Sequence, residues 1–360
     1  MKFDIGARIR QLRLEKSMTQ EQLAQELGLT PQAVSKWENG VGLPDTQLLP
    51  ELSVQLGVSI DALFSLTDEA RFRRISRMLE DVRFLPDRDF VSAERWLEEK
   101  REQSETHAQA TLLLAALYNK RADEYHQLAA PLAREALRLN PTEQDAHRAV
   151  FNAEKGVYQD WNWANHHELI DFYKGVVEAH PEDWHNYMWL LDLLVADRRV
   201  EEARAYVERL RSVWDNWRCE LYMGEICLAA CDMPGALEWF RRMTEREPDN
   251  WNVWAMYAEE MAKQGRYDEA LTLHEKSFAM RKPPRYVDCD ETVAGIQEIK
   301  GDYAAAIDTH RRIIDILRED WHITEGEAVD AHLRQIARLK ARMNPSNSQF
   351  VHSLPDKNLL

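Results

Sequence analysis

Residues 30–40 form a short segment with several polar side chains that could hydrogen-bond an external partner. Val34 and Trp37 have the spacing of the buried side of a helix, so the other side chains of the segment are predicted to face outward. The outward set is Gln32, Ala33, Ser35, Lys36 and Asn39. An α-helix fits the major groove of DNA, where Gln can read adenine and Lys can read guanine or reach a phosphate.

Two short helices joined by an abrupt turn are predicted to position this segment. Thr19 and Gln22 have the spacing of a capping box, which starts the first helix, and Gly28 ends it. Thr30 is predicted to cap the second helix, and Pro31 takes its first position, where no N–H is needed. The second helix is predicted to end at residues 39–40, which are Asn and Gly.

Two further polar residues lie beside this predicted surface. Gln20 opens the first of the two helices, where free backbone amides favour a phosphate. Glu38 is predicted to be a capping or intramolecular partner rather than a base reader. A preceding helix, ending near Ser17, is predicted from the apolar spacing of Ile5, Ile9, Leu12 and Leu14.

Residue type and spacing agree with a known family over residues 5–66. The agreement covers Thr19-Gln20, Leu23-Ala24, Leu27-Gly28, Val34-Ser35, Trp37-Glu38-Asn39-Gly40, Pro44, and the runs 48–52, 56–59 and 63–64. This segment resembles the Cro/C1-type helix-turn-helix domain of XRE-family transcription regulators. The resemblance implies five helices, operator DNA as the partner and a two-fold dimer. It also implies DNA contacts at the positions of Gln20, Gln32, Ser35 and Lys36, and Pro31 replaces a residue that sometimes touches a base.

Net charge argues against DNA binding by electrostatic attraction alone. The chain has 46 Lys and Arg against 62 Asp and Glu, a net charge of −16, which disfavours coating of anionic polymers or lipid surfaces. Residues 1–70 hold six cations and ten anions, whereas DNA-binding domains usually carry a basic patch. We therefore expect DNA affinity to depend on pairing two copies in a homodimer.

The rest of the chain repeats at intervals typical of paired helices. The first helix of successive units is predicted to begin at Trp184, Trp217, Trp251 and Val287. Small residues recur at Ala203, Ala236, Ala270 and Ala306, and turn residues recur five positions earlier at Arg198, Cys231, Gly265 and Gly301. These units resemble tetratricopeptide repeats. Four units are predicted in residues 182–321, about two degenerate ones in 106–181, and a capping helix in 322–342.

A groove lined by the first helix of each unit is the second candidate site. The position of each residue within its repeat unit predicts seven polar side chains in this groove: Asp192, Arg218, Glu225, Asn252, Glu259, Glu291 and Glu298. Because most of them are anionic, we hypothesise that the groove binds a cationic peptide or protein tail. The alternative is an acidic face that only keeps the protein in solution.

No pattern in the sequence predicts catalysis, a cofactor or a metal site. The sequence lacks Gly-rich phosphate loops, nucleophile elbows and Ser/His/Asp constellations. His166 and His167 diverge by about 100° on a helix, so they do not suit one metal ion. The four cysteines lack zinc spacing and are predicted to be reduced core residues in the cytosol. The longest apolar run, residues 110–118, is far shorter than the ~20 residues that cross a bilayer.

The whole chain is predicted to be an all-α cytoplasmic regulator without enzymatic activity. Its domains are predicted as a helix-turn-helix module (1–66), a helical linker (67–104), a repeat domain (105–343) and a disordered tail (344–360). This order resembles the peptide-sensing regulators of Gram-positive bacteria, which implies a repeat domain that senses a peptide or protein ligand. The alternative is a repeat-based interaction scaffold that the helix-turn-helix module tethers to DNA.

Overall fold

A computed structural model describes residues 5–58, 60–63, 68–157 and 160–343. Within these ranges all regular structure is helical, which confirms the all-α prediction. The described residues form two compact units, the first ending at Tyr125 and the second starting at His126. No helix in these ranges combines the length and apolarity needed to cross a membrane. The tail predicted to be disordered, 344–360, lies outside the described residues.

The first unit begins with a small domain of five α-helices, as predicted. These are α1 (Ile5–Glu15), α2 (Gln20–Glu26), α3 (Pro31–Glu38), α4 (Leu49–Leu56) and α5 (Ile60–Leu63), with a short 3-10 helix (Thr46–Leu48) before α4. Their common core is built from the apolar positions that the helical spacing identified, such as Ile9, Leu23, Val34 and Leu52. Burial of these side chains is the main stabilising contribution to so small a domain.

Two side chains of this domain lie differently from their predictions. Leu14 was expected on the buried face of α1 but is 56% exposed, and Arg13 is buried in its place. Arg13 is drawn inward because it pairs with the buried carboxylate of Glu38. Ala33 was expected to face outward but is half-buried and packs against the core.

Residues 67–104, predicted to be a helical linker, contain two helices with an apolar core of their own. These are α6 (Asp68–Asp81) and α7 (Asp87–Arg101), and they pack with the beginning of α8 (His107–Leu139). The rings of Phe72 and Trp96 meet with centroids 4.8 Å apart, beside the buried Leu97 and Leu117. The segment is therefore packed, and the domain boundaries at residues 66 and 104 stay predictions.

The prediction of two degenerate repeats in residues 106–181 is wrong in its first half. Instead of a helical hairpin, α8 is one helix of 33 residues. No Gly and no Pro occurs in it before Pro131, so nothing in the chain breaks the helix where a hairpin turn would be needed. Three shorter helices follow: α9 (Gln144–Ala153), α10 (Trp161–Ala164) and α11 (His167–Ala179).

Four helical hairpins and a closing helix follow, at the predicted positions. The hairpins are α12 (Trp184–Ala196) with α13 (Val200–Val213), α14 (Trp217–Ala229) with α15 (Met233–Arg246), α16 (Trp251–Lys263) with α17 (Tyr267–Met280), and α18 (Asp288–Ile299) with α19 (Tyr303–Asp320). The closing helix is α20 (Glu327–Met343). The repeat spacing of the sequence therefore places helix starts to within one residue.

The four hairpin turns are closed in the same way. The residues predicted to lie in them, Arg198, Cys231, Gly265 and Gly301, all have positive φ, from 55° to 80°. The N–H of the following residue donates to a carbonyl five residues back, as from Arg199 to Leu194 at 2.8 Å. This bond belongs to a Schellman motif, which ends a helix with one left-handed residue. The four repeated alanines beyond the turns are fully buried, as predicted.

Gly224 permits a close approach between α14 and α15. A Cβ added there would stand 2.8 Å from Cδ1 and Cζ of Phe240, which is fully buried. We expect Gly224→Ala to lower the free energy of unfolding by about 1–3 kcal/mol, because a packed core resists added volume. Gly295→Ala on α18 is the matched control, since its Cβ would meet no atom within 4 Å. Urea denaturation measures both variants, and equal stabilities would contradict the close contact.

Candidate DNA-binding surface and repeat groove

The turn between α2 and α3 has the local geometry that the sequence predicts. The Thr19 N–H donates to Oε1 of Gln22 at 2.7 Å, and the Gln22 N–H donates to Oγ1 of Thr19 at 3.2 Å, which is the predicted capping box. Gly28 has φ of 65° and ends α2. Pro31 opens α3, but the Thr30 side chain makes no capping hydrogen bond. The residue types at the turn therefore determine where α2 ends and where α3 begins.

α3 has a buried side and an open side. Val34 is fully buried and Trp37 is 7% exposed. Gln32 and Lys36 lie one turn apart on the opposite side, and in the described part of the chain their side chains form no hydrogen bond or ion pair. Their donors and acceptors are free to meet an external partner, as the base-reading prediction requires.

The other predicted contacts of this surface already have neighbours. Nδ2 of Asn39 donates to Oγ of Ser35 at 3.2 Å, so these two side chains form one unit at the end of α3. Nε2 of Gln20 donates to Oε2 of Glu38 at 2.8 Å. Gln20 is thereby held in place at the start of α2, where the Gln22 N–H is already used by the Thr19 cap. Pro31 is half-buried at the start of α3.

Glu38 is the intramolecular partner that the sequence predicts, and it lies under the surface. Glu38 is 9% exposed. Its Oε1 accepts a hydrogen bond from Nε of Arg13 at 2.6 Å, and its Oε2 accepts one from Nη2 of Arg13 at 2.9 Å. Burial opposes its charge, yet the hydrogen bonds from Arg13 and Gln20 lower the pKa of Glu38 below its ordinary value. Sequence reasoning missed Arg13, because an arginine in an amphipathic helix normally faces solvent.

In the repeats, part of the predicted groove is a cavity of about 410 Å³ along α12, α14 and α16. Asp192 and Glu225, both predicted, line it together with Glu260 and Lys263. The Tyr222 hydroxyl donates to Oδ1 of Asp192 at 2.8 Å. Nζ of Lys263 lies 2.5 Å from Oε1 of Glu260. Three acidic side chains therefore share the cavity with the Lys263 ammonium group and with Arg198, which also lines it.

The remaining predicted groove residues lie outside this cavity. The Arg218 guanidinium packs over the Trp217 ring, 4.7 Å from its centroid, and Asn252 is half-buried at the start of α16. Glu259 lies 3.5 Å from Nε2 of His274, and Glu291 lies 3.7 Å from Nε2 of His332.

Glu298 is neutralised by the protein itself. Its Oε1 accepts from Nη1 of Arg338 and Nη1 of Arg342, each at 2.6 Å, both on α20. A sequence register identifies the groove side of a helix but not the cations that later helices bring to it. Glu260 lines the cavity one position beyond the predicted Glu259, so the assigned register missed it by one residue.

Glu225 gives the repeat domain a specific pH dependence. Burial raises the pKa of Glu225 well above its ordinary value, and the nearby charge of Glu260 adds to the rise. The folded state therefore holds this proton more tightly than the unfolded chain does. Its stabilising contribution is complete below about pH 4.3 and is lost as pH rises through the folded pKa.

Ionising the buried Glu225 carboxyl at neutral pH costs folding free energy. We expect Glu225→Gln to remove this cost, because an amide has the same shape as the carboxyl group and no charge. The melting temperature at pH 7.5 should rise by about 2–4 °C for each kcal/mol recovered, and the gain should vanish near pH 4. The same substitution at the exposed Glu201 is the control. A gain of equal size at both pH values would contradict a raised pKa.

The histidines and cysteines singled out in the sequence have intramolecular surroundings. His166 Nδ1 lies 2.6 Å from Oδ1 of Asp197, and His167 contacts Asn165. Among the described residues, no group of three or more His, Cys, Asp or Glu could hold a metal ion. Cys219 and Cys227 are buried as predicted, whereas Cys231 is exposed because it forms a hairpin turn.

Comparison with known proteins identifies the N-terminal segment. A helix-turn-helix family model matches residues 9–63. Over 63 residues the chain is 42% identical to the HTH-type transcriptional activator BcrR of Enterococcus faecalis, covering 18% of this chain and 31% of BcrR. Over 62 residues it is 40% identical to the SPbeta prophage-derived uncharacterized HTH-type transcriptional regulator YonR of Bacillus subtilis (strain 168), covering 17% of this chain and 57% of YonR.

Both relatives are thus matched over less than two thirds of their own length. Among solved structures, a tetratricopeptide repeat protein from Parabacteroides merdae is 14% identical, with a TM-score of 0.38 over 76% of this chain and 98% of that one. The chain therefore has an N-terminal helix-turn-helix domain over residues 9–63, followed by repeated helical hairpins.

Proposed function

We propose that the chain is a sequence-specific DNA-binding transcription regulator that acts as a homodimer and has no catalytic role. The observation that carries this proposal is the open side of α3, where Gln32 and Lys36 are exposed without intramolecular partners. Such a helix can enter the major groove, where an amide reads adenine and an ammonium reads guanine. Gln20, Pro31, Ser35 and Asn39 surround these two residues and complete the proposed contact surface.

Selection of bound duplexes from a random library, with the purified full chain, tests this proposal. We expect a palindrome whose half-sites lie about one helical turn, 10–10.5 base pairs, apart, because a two-fold dimer presents two copies of α3. Mapping of genomic occupancy should then find the same palindrome near regulated genes. Absence of any enriched sequence over random competitor would contradict the proposal.

We also propose that the repeat groove binds a cationic segment of a peptide or protein. The cavity lined by Asp192, Glu225 and Glu260 supports this, since Lys263 already places an ammonium group among these carboxylates. Calorimetric titration of the full chain should show micromolar binding of Lys/Arg-rich peptides and none of Asp/Glu-rich peptides of equal length. Asp192→Asn should weaken the binding, and no heat with any cationic peptide would contradict the proposal.

A groove ligand regulates DNA binding only if it favours one arrangement of the two DNA-binding domains. Any such coupling is reciprocal, so saturating peptide should change operator affinity by the same factor as operator changes peptide affinity. Operator binding that is indifferent to a bound peptide would instead favour the scaffold alternative, in which the helix-turn-helix domain only tethers a partner to DNA.

A further inference from the structure

Helix α8 carries an apolar face that nothing in the described chain covers. Four large side chains on it are exposed by 46–80%: Tyr118, Tyr125, Leu132 and Leu139. Exposed alanines at positions 115, 122, 129 and 136 alternate with them. Successive members are three and four residues apart, which is the heptad spacing of a coiled-coil seam. We call these eight residues the α8 seam.

The seam is distinct from the side of α8 that the protein already buries. Leu113, Leu114 and Leu117 on that other side belong to the core shared with α6 and α7. A surface helix normally has one apolar stripe and a polar opposite face. Here a second apolar stripe spans residues 115–139, about 36 Å at 1.5 Å per residue. Pro131, the one proline of the helix, lies off the seam.

We propose that the α8 seam pairs with the α8 seam of a second copy of this chain, with the two helices antiparallel. When the two-fold axis passes beside residue 127, every alanine faces a large side chain. Tyr125 then faces position 129 of the second copy, and Leu132 faces position 122. Each layer holds one small and one large residue, so all layers have similar volume.

Parallel pairing of the same seam would pack poorly. Alanine would face alanine in one layer and leave a void, while two tyrosines or two leucines would crowd the next. A surface that complements itself by a two-fold rotation is what an isologous dimer requires. The strict alternation of small and large residues therefore selects a second copy, antiparallel, as the occupant.

The area of the seam corresponds to a small specific interface. The exposed parts of its eight side chains amount to on the order of 600 Å² per copy, so pairing could bury at most roughly 1,200 Å² for two copies, which is the lower limit for specific interfaces. The Tyr118 hydroxyl donates to Oε1 of Glu94 at 2.9 Å, which holds that ring in place at the surface. Pairing therefore costs little additional side-chain entropy at Tyr118.

This proposal deepens the proposed function, since it says how two helix-turn-helix domains are joined, but its test needs no DNA. Light scattering of the full chain should give twice the 42.1 kDa chain mass at micromolar concentration. Ala129→Glu should give the monomer mass, with a dimer dissociation constant raised by about 100-fold or more, because it buries an unpaired charge. Gln127→Glu adds the same charge off the seam and should leave the dimer intact.

A complementary pair of variants tests the antiparallel register. Ala122→Glu and Leu132→Lys should each be monomeric, and an equimolar mixture should recover the dimer, because position 122 of one copy faces position 132 of the other. A monomeric wild type at 100 μM, a dimer that survives Ala129→Glu, or a mixture that stays monomeric would each overturn the proposal. A dimer that selects no DNA sequence would contradict the proposed function and leave the seam standing.

Discussion

Gln32→Ala combined with Lys36→Ala is expected to abolish specific operator binding by the full chain. Each base contact contributes about 1–3 kcal/mol of affinity, so the double variant should lose about 2–6 kcal/mol per recognition helix, a factor of 30 or more. Fluorescence anisotropy with the selected operator measures this loss. The fold should survive, because both side chains are exposed and neither forms a hydrogen bond or ion pair within the described chain.

The two single variants separate base reading from phosphate contact. Gln32→Ala should relax preference at one base pair without changing the salt dependence of binding. Lys36→Ala should lower the slope of log K against log salt by about 1 if its ammonium meets a phosphate. Gln109→Ala with Lys340→Ala, at exposed positions on α8 and α20, is the matched control. An operator affinity equal to that of this control would show that α3 does not read DNA.

Much of the fold could be predicted because its local signals are strong. The capping box of Thr19 and Gln22 and the left-handed Gly28 each satisfy backbone groups within a few residues, so residue type alone locates them. The repeat turns are equally local. Arg198 and Cys231 adopt positive φ where glycine is the usual choice, and their place in the repeat, rather than their type, predicts it.

Features that depend on distant partners could not be predicted. Arg13 is buried only because Glu38, 25 residues later, reaches the same point of the core. Glu298 is not available to a groove ligand, because two arginines of α20 pair with its carboxylate. The α8 seam does not stand out as a repeat, because its spacing of three and four residues is that of a single helix and not that of a helical hairpin.

The ion pair of Arg13 and Glu38 is expected to dominate the stability of the helix-turn-helix domain. It joins α1 to the end of α3, and Nη1 of Arg13 also donates to the Met18 carbonyl at 2.6 Å. Glu38→Ala leaves the guanidinium buried without its carboxylate, so we expect the free energy of unfolding to fall by about 3–5 kcal/mol. Glu15→Ala on the exposed side of α1 is the control and should cost less than about 0.5 kcal/mol.

A double-mutant cycle separates the pair from its surroundings. Arg13→Met with Glu38→Leu should be more stable than either single variant, because it leaves no unpaired buried charge. The pH dependence gives an independent check, since the pKa of Glu38 is lowered in the folded state. The contribution of the pair is then complete above about pH 4.3 and is lost as pH falls through the folded pKa. Two results together would show that the pair contributes nothing to stability. The effects of the two single variants on the free energy of unfolding would be additive, and the stability of Glu38→Ala would fall with acid as that of the wild type does.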